Sequence, residues 1–231
     1  MKVMGVDTAT DTAAVGLVDD NIILGEVNLH LHHRHSERLL LNIKHLLDEL
    51  QVEKKELDGL AVGLGPGSFT GLRIGVTTFK IMAQFLEVPV VGLSTLEILA
   101  AGLNYHSGYF VPLIDAHNQR VYTALFSTSK KDGFLERHWS DRARKLEVLI
   151  AELAEFKSEG FFYPVGDGAL NYRTLLEDSK LNFQFLPPEH NYPRGAAAAL
   201  LGQKYLKKGC RDSYQDLVPR YMKKAHTPKK S

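Results

Sequence analysis

Apolar positions along the first hundred residues switch between a strand period and a helix period. Positions 3–8, 12–18 and 22–29 read as three short strands. Ala9-Thr10-Asp11 and Asp19-Asp20-Asn21 supply the turn residues between them. Leu39, Leu40, Ile43, Leu46, Leu47 and Leu50 recur at helical spacing and predict a helix over 36–50, with Ser36 as its N-cap. Leu60-Ala61-Val62-Gly63-Leu64 reads as a buried strand, followed by a glycine-rich loop and a helix over 70–86. A strand over 88–93 and a helix starting near Ser94 complete this half.

After Gly102 the order begins again. Strands are predicted over 109–115, 121–126 and 134–139, a helix over 145–156, a strand over 161–165, and helices over 169–176 and 194–207. Three strands, helix, strand, helix, repeated once, is a duplication of structure without repeated sequence. This α/β order resembles the actin/hexokinase/Hsp70 superfold, in which two mixed sheets flanked by helices face each other across a cleft. The expected boundaries are an N-terminal lobe over 1–103, a smaller C-terminal lobe over 104–216 and a mobile basic tail over 217–231. Asp7 and Asp115 end the first strand of each half, where such a fold approaches a nucleotide. Each is also a residue type that caps an ordinary turn.

Composition narrows the classes. With 44% hydrophobic and 24% charged residues among 231, the chain can bury a globular core. The formal net charge of +1 gives no global basic field, so nucleic acid would need a local patch or a partner. In the tail, Arg220, Lys223, Lys224, Lys229 and Lys230 occur without an acid, a run that reads as a solvated terminus, with phosphate contact as the alternative. No run approaches the ~18 apolar residues of a membrane span, and the N-terminus lacks a signal-peptide stretch. Cys210 is the single cysteine, which excludes an internal disulfide and a four-cysteine zinc site. The expected location is the cytoplasm, with no membrane association.

Several constellations invite chemistry. The segment Gly65-Pro66-Gly67-Ser68-Phe69-Thr70-Gly71 links a strand to a helix, with Ser68 or Thr70 as its cap. It is not a Walker A loop, because no Gly-Lys-Ser/Thr follows; it reads as a packing turn, with an anion site as the alternative. In the helix after it, Arg73, Thr77, Lys80 and Gln84 form a polar stripe. Leu72, Val76, Phe79 and Ala83 line one flank, and Ile74, Ile81 and Phe85 the other. One apolar face suffices to pack on a sheet, so two flanks predict either a neighbouring helix or a partner protein. His30, His32, His33 and His35 cluster but lack carboxylates at ligand spacing, so they read as a polar edge. Cys210 sits at a helix end, where the dipole disfavours a thiolate, and no Gly-x-Ser-x-Gly elbow is present.

These residues together resemble the TsaB (YeaZ) family. The resemblance rests on Val6-Asp7-Thr8, His35-Ser36-Glu37-Arg38-Leu39-Leu40, the segment Gly65 through Gly75, Asp115-Ala116 with Arg120-Val121-Tyr122, Val165-Gly166-Asp167-Gly168, and Pro219-Arg220-Tyr221. It covers nearly the whole chain, and the Gly65-to-Gly75 segment is its most specific part. The resemblance implies a non-catalytic partner of TsaD, which transfers threonylcarbamoyl to the adenosine beside the anticodon of tRNAs reading codons that begin with adenine. The ATPase TsaE is the further partner, and tRNA is met through the complex. It implies docking by the first two helices onto TsaD, or onto a second copy when alone, which places Leu40, Leu41, Leu47, Leu72, Arg73, Val76, Phe79 and Ala83 at the contact. It implies a nucleotide cleft around Asp7, Thr8, Thr10, Gly65, Gly67, Asp115, Gly166 and Gly168, with weak ATP or ADP binding and no required cofactor. TsaD holds a metal with His-x-x-x-His; Leu39 stands in the place of the second histidine, so no metal or catalytic residue is carried over. His117 and Asn118 depart from the family pattern, which weakens the nucleotide expectation. An actin-like ATPase or small-molecule kinase using Asp7 or Asp115 is the competing class, and a metallopeptidase is a third.

Overall fold

The structure, a computed structural model, describes residues 1–30, 35–103, 106–129, 135–156 and 160–222, with backbone alone at 35–37. In the first half, β1 (Lys2–Asp7), β2 (Thr12–Asp19), β3 (Ile22–His30), β4 (Gly59–Gly63) and β5 (Val90–Leu93) form one sheet in the order β3-β2-β1-β4-β5. β1 pairs antiparallel with β2 and parallel with β4, as the expected strand order requires. In the second half, β6 (Tyr109–Asp115), β7 (Arg120–Thr128), β8 (Leu135–Lys145) and β9 (Phe162–Val165) form a sheet in the order β8-β7-β6-β9. Phe183 adds an isolated parallel bridge to Phe162, in the place that β5 holds beside β4. The second sheet thus repeats the first with its last strand reduced to one residue pair.

Helices α1 (His35–Glu49) and α2 (Phe69–Leu86) cover one face of the first sheet, and α7 (Gly195–Lys207) covers the other. Burial on both faces explains why β1, β2 and β4 are nearly continuous in apolar and small residues. Helix α3 (Thr95–Ala101) joins the halves, its N-cap Ser94 accepting the Glu97 amide. Its residues Leu96, Leu99 and Ala100 enter the core of the second sheet beside Phe110 and Phe126. Helices α4 (Leu146–Glu155), α5 (Asp167–Asn171) and α6 (Arg173–Asp178) complete that lobe. The single helix predicted over 169–176 is two short ones, broken at Tyr172.

The packing of two helices crosses the lobe boundaries read from the sequence. Helix α3, placed in the first lobe, packs on the second sheet, and α7, placed in the second, packs on the first. The tail expected to be mobile from residue 217 is docked through Met222: Leu217 is buried, and the Arg220 amide donates to the Leu64 carbonyl at 2.7 Å. Residues 223–231 lie outside the described part of the chain. Among the described residues no helix is long and apolar enough to cross a membrane.

The seam between α7 and the sheet is backbone on backbone. Ala196 to Ala199 present only methyl groups, and a Cβ on Gly16 would overlap the backbone of Gly195 and Ala196. From β3, Glu26 accepts the Ala196 amide at 3.1 Å and pairs with Arg194, while Asn28 accepts the Gly195 amide at 3.0 Å. Burial opposes ionisation of Glu26, yet Arg194 and the amide hold its carboxyl below the usual range. Gly16→Ala is expected to destabilise the fold by about 3 kcal/mol, seen as a thermal midpoint lowered by about 10 °C in calorimetry.

Candidate functional site

Two regions hold the residues that the sequence singled out. The first is the end of β1 and the loops around it. Asp7 is fully buried: its Oδ1 accepts the Ala9 amide at 2.8 Å, and its Oδ2 accepts the Thr95 hydroxyl at 2.7 Å. Thr8 is buried as well and donates to the Gly71 carbonyl at 2.7 Å. Thr10 is almost covered and accepts the Thr12 amide at 3.2 Å. The Ser68 amide donates to the Ala9 carbonyl at 2.6 Å, so the glycine loop spends that donor on the β1–β2 turn. A Cβ on Gly67 or Gly71 would overlap the Ala9 or Thr8 carbonyl. Gly65 is buried and accepts the Thr95 amide at 2.9 Å. The packing-turn reading of this segment therefore holds, and Ser68 rather than Thr70 caps α2 by accepting the Gly71 amide.

In the second lobe Asp115 accepts the His117 amide, the Tyr172 hydroxyl and the Asn171 amide group. Asp167 accepts the Asp115 and Gly168 amides, and Asn191 accepts the Gly166 amide. Gly166 and Gly168 are pressed against the Leu113 carbonyl. Burial raises the Asp167 pKa, and the nearby Asp115 and Asp11 carboxylates add to that rise. The facing turns are thus acidic, and the amides of residues 9, 68, 115, 117, 166 and 168 are already paired with protein acceptors. Of the residues expected around a nucleotide cleft, Asp7, Thr8, Thr10, Gly65, Gly166 and Gly168 are buried, and Gly67 and Asp115 are partly exposed.

The second region is the outer face of α1 and α2. Leu47, Leu72, Val76, Phe79 and Ala83, expected at a partner contact, are core residues of the first lobe, which corrects their assignment. The flank that faces outward is the other one. Ile81 is exposed, Phe85 is 87% exposed, and Leu40 and Leu41 on α1 are exposed too. The polar stripe divides. Lys80 donates to the Gln215 and Leu217 carbonyls, and Arg73 donates to the Tyr221 hydroxyl at 3.2 Å while its guanidinium covers the Phe69 ring. The C-terminal segment is thus strapped along α2, an arrangement whose sole trace in the sequence is the motif Pro219-Arg220-Tyr221.

Sequence reasoning also missed a polar bridge between the lobes. Glu97 on α3 accepts the Tyr205 hydroxyl of α7 at 2.6 Å and pairs with Arg137 of β8 at 3.0 Å; Arg137 also pairs with Asp141 and covers the Phe126 ring. Of the histidine cluster, His30 packs edge-on against Tyr192. His32, His33 and the His35 side chain lie outside the described residues. Leu39 is buried in the core. Among the described residues no group of His, Cys, Asp or Glu is arranged to hold a metal ion.

Burial pushes the Asp7 carboxyl up to about 6 from 3.8, against the opposing pull of the Ala9 amide and Thr95 hydroxyl. Between these values the folded protein keeps a proton that the unfolded chain releases. Raising the pH through that window therefore lowers stability, by about 3 kcal/mol in full. Urea unfolding of wild type and Asp7→Asn at about pH 4 and about pH 7 should show the variant free of this loss, with a flatter pH dependence.

Comparison with known proteins places the chain. A family model described as TsaD, tRNA N6-adenosine threonylcarbamoyltransferase, matches residues 25–227. The tRNA threonylcarbamoyladenosine biosynthesis protein TsaB of Bacillus subtilis (strain 168) is 31% identical, over 100% of this chain and 97% of that protein. The protein of that name from Escherichia coli (strain K12) is 30% identical over 78% of each. Among solved structures, YeaZ from Pseudomonas aeruginosa superposes with a TM-score of 0.82 at 23% identity, over 95% of this chain and 99% of that one. The Acidaminococcus fermentans (R)-2-hydroxyglutaryl-CoA dehydratase component A follows at a TM-score of 0.52 and 10% identity, over 90% and 99%. The fold is the duplicated actin/hexokinase/Hsp70 type, and the chain belongs to the TsaB family.

Proposed function

We propose that this chain is a non-catalytic subunit in the synthesis of threonylcarbamoyladenosine on tRNA, docking on TsaD through the outer face of α1 and α2. The names of its relatives support the pathway. The observation that carries the docking reading is the row of large apolar side chains left uncovered on two adjacent helices: Leu40, Leu41, Ile81 and Phe85. Such side chains gain little by facing water, and several exposed on neighbouring helices fit a protein partner. A second copy of the chain would cover the same face when TsaD is absent. TsaE and tRNA then meet this subunit within the assembly, in the cytoplasm.

The turns of the cleft support a role without chemistry of its own. Phosphate recognition uses free backbone amides or cationic side chains. Here the amides at residues 68, 117, 166 and 168 already serve protein acceptors, and the surrounding side chains Asp11, Asp115 and Asp167 are acidic. On this reading the subunit needs no cofactor, and its association with ATP or ADP is weak.

Replacing Phe85 or Ile81 by Asp should leave the fold intact, because both side chains are exposed, and should abolish co-purification with TsaD. Val76→Asp, by contrast, should unfold the lobe, because it buries an unpaired carboxylate. Normal recovery of TsaD with folded Phe85→Asp and Ile81→Asp would remove this face as the contact. Nucleoside analysis of tRNA from cells depleted of the protein should show loss of threonylcarbamoyladenosine, and unchanged levels would overturn the pathway assignment.

A further inference from the structure

We propose that two copies of this chain pair through β3, edge to edge and antiparallel, joining their first sheets across a two-fold axis at Val27. The inference stands apart from the docking reading, because it uses a sheet edge rather than the outer face of α1 and α2.

A sheet edge is a row of unpaired backbone groups, and folded proteins cover or charge such edges. Three of the four edges here are treated that way. On β5 the Asp212 amide donates to the Val90 carbonyl at 2.9 Å, and the Asp212 carboxylate accepts the Gly92 amide at 2.7 Å. Along β9 the Phe162 amide donates to the Asn182 carbonyl at 2.9 Å, and the Phe162 carbonyl accepts the Gln184 amide at 2.8 Å. Strand β8 carries six charged side chains in its eleven residues. Strand β3 differs. It has no proline, lysine or arginine, and among the described residues no backbone bond from outside the sheet reaches Gly25 to Leu29. Its one acid, Glu26, is engaged by Arg194 and the Ala196 amide. At its start Ile22 and Ile23 are 65% and 51% exposed.

The pattern of β3 suits its own copy. The β2–β3 register skips Leu24, so the regular edge begins at Gly25. Gly25 and Val27 face α1 and the apolar core, while Glu26 and Asn28 face the start of α7. In an antiparallel pair about a two-fold axis, opposite residues share the same parity, so each face meets its own kind. With the axis at Val27 the two Val27 side chains meet, and Leu29 lies opposite Gly25 of the other copy. Glu26 then lies opposite the Asn28 amide group, so no carboxylate faces a carboxylate, and Arg194 neutralises each Glu26. Helix α1 lies across β2 and β3, which sets its two copies about 10 Å apart, an ordinary helix spacing.

The test uses the full chain carrying Phe85→Asp, which removes pairing through the helix face, and Cys210→Ser, which removes the native thiol. Sedimentation equilibrium up to about 0.1 mM should show a reversible dimer. Adding Asn28→Asp keeps an acceptor for the Gly195 amide but sets a carboxylate opposite each Glu26. It should raise the dimer dissociation constant about tenfold. In the same parent, Val27→Cys should form an intermolecular disulfide under mild oxidation, because the two Cα atoms at the axis lie about 5 Å apart. Ile22→Cys, five positions from the axis, should not, because its two copies lie about 30 Å apart. Thermal melts would establish that the variants are folded; should Asn28→Asp fail to fold, the two cysteine variants decide. The proposal fails if the parent is a monomer throughout, which would assign any self-association of the wild type to the helix face. It also fails if folded Asn28→Asp dimerises like the parent, or if Ile22→Cys cross-links as readily as Val27→Cys. Capture of TsaD is a separate readout, so failure of the docking reading would leave these outcomes untouched.

Discussion

The glycine loop against the end of β1 is the contact on which the rest of the molecule depends. The Thr8 and Ala9 carbonyls fit against Gly71 and Gly67 with no space for a side chain, and the Ser68 amide and Gly71 carbonyl complete the match. That fit sets where α2 begins and hence which of its two apolar flanks meets the sheet. It also consumes the polar groups that a phosphate would otherwise find there. One packing event therefore both closes the cleft wall and turns Ile81 and Phe85 outward.

Asp7 shows the cost of that arrangement. A carboxyl enclosed by Gly63, Thr95 and the Ala9 amide gains two hydrogen bonds but loses its hydration, and its raised pKa reports that loss winning. The same α3 that reaches Asp7 with Thr95 reaches Arg137 and Tyr205 with Glu97. Its two polar residues, Thr95 and Glu97, tie the first sheet, the second sheet and α7 together through one seven-residue helix.

The C-terminal strap gives the polar residues of α2 their meaning. Lys80 and Arg73 hold backbone and a tyrosine that arrive from more than 130 positions away, leaving the apolar row beside them uncovered. The exposed Ile81 and Phe85 and the Phe69–Tyr221 ring pair thus lie towards opposite ends of one helix, beside the same segment.

The order of elements, the duplication and the capping by Ser68 and Ser94 were legible in the sequence, because period, turn residues and caps act over a few neighbouring positions. The polar second half of β8, residues 140–145, was not: Arg142, Arg144 and Lys145 are strand because β7 pairs with them. Equally hidden were the exchange of α3 and α7 between lobes, the choice of outward flank on α2 and the burial of Asp7. Each depends on which distant surfaces meet, and hydrophobic periodicity reports that a face is buried without naming what buries it. Both flanks of α2 were apolar in the sequence; only the closeness of Gly71 and Gly75 to Thr8 decided which of them became core.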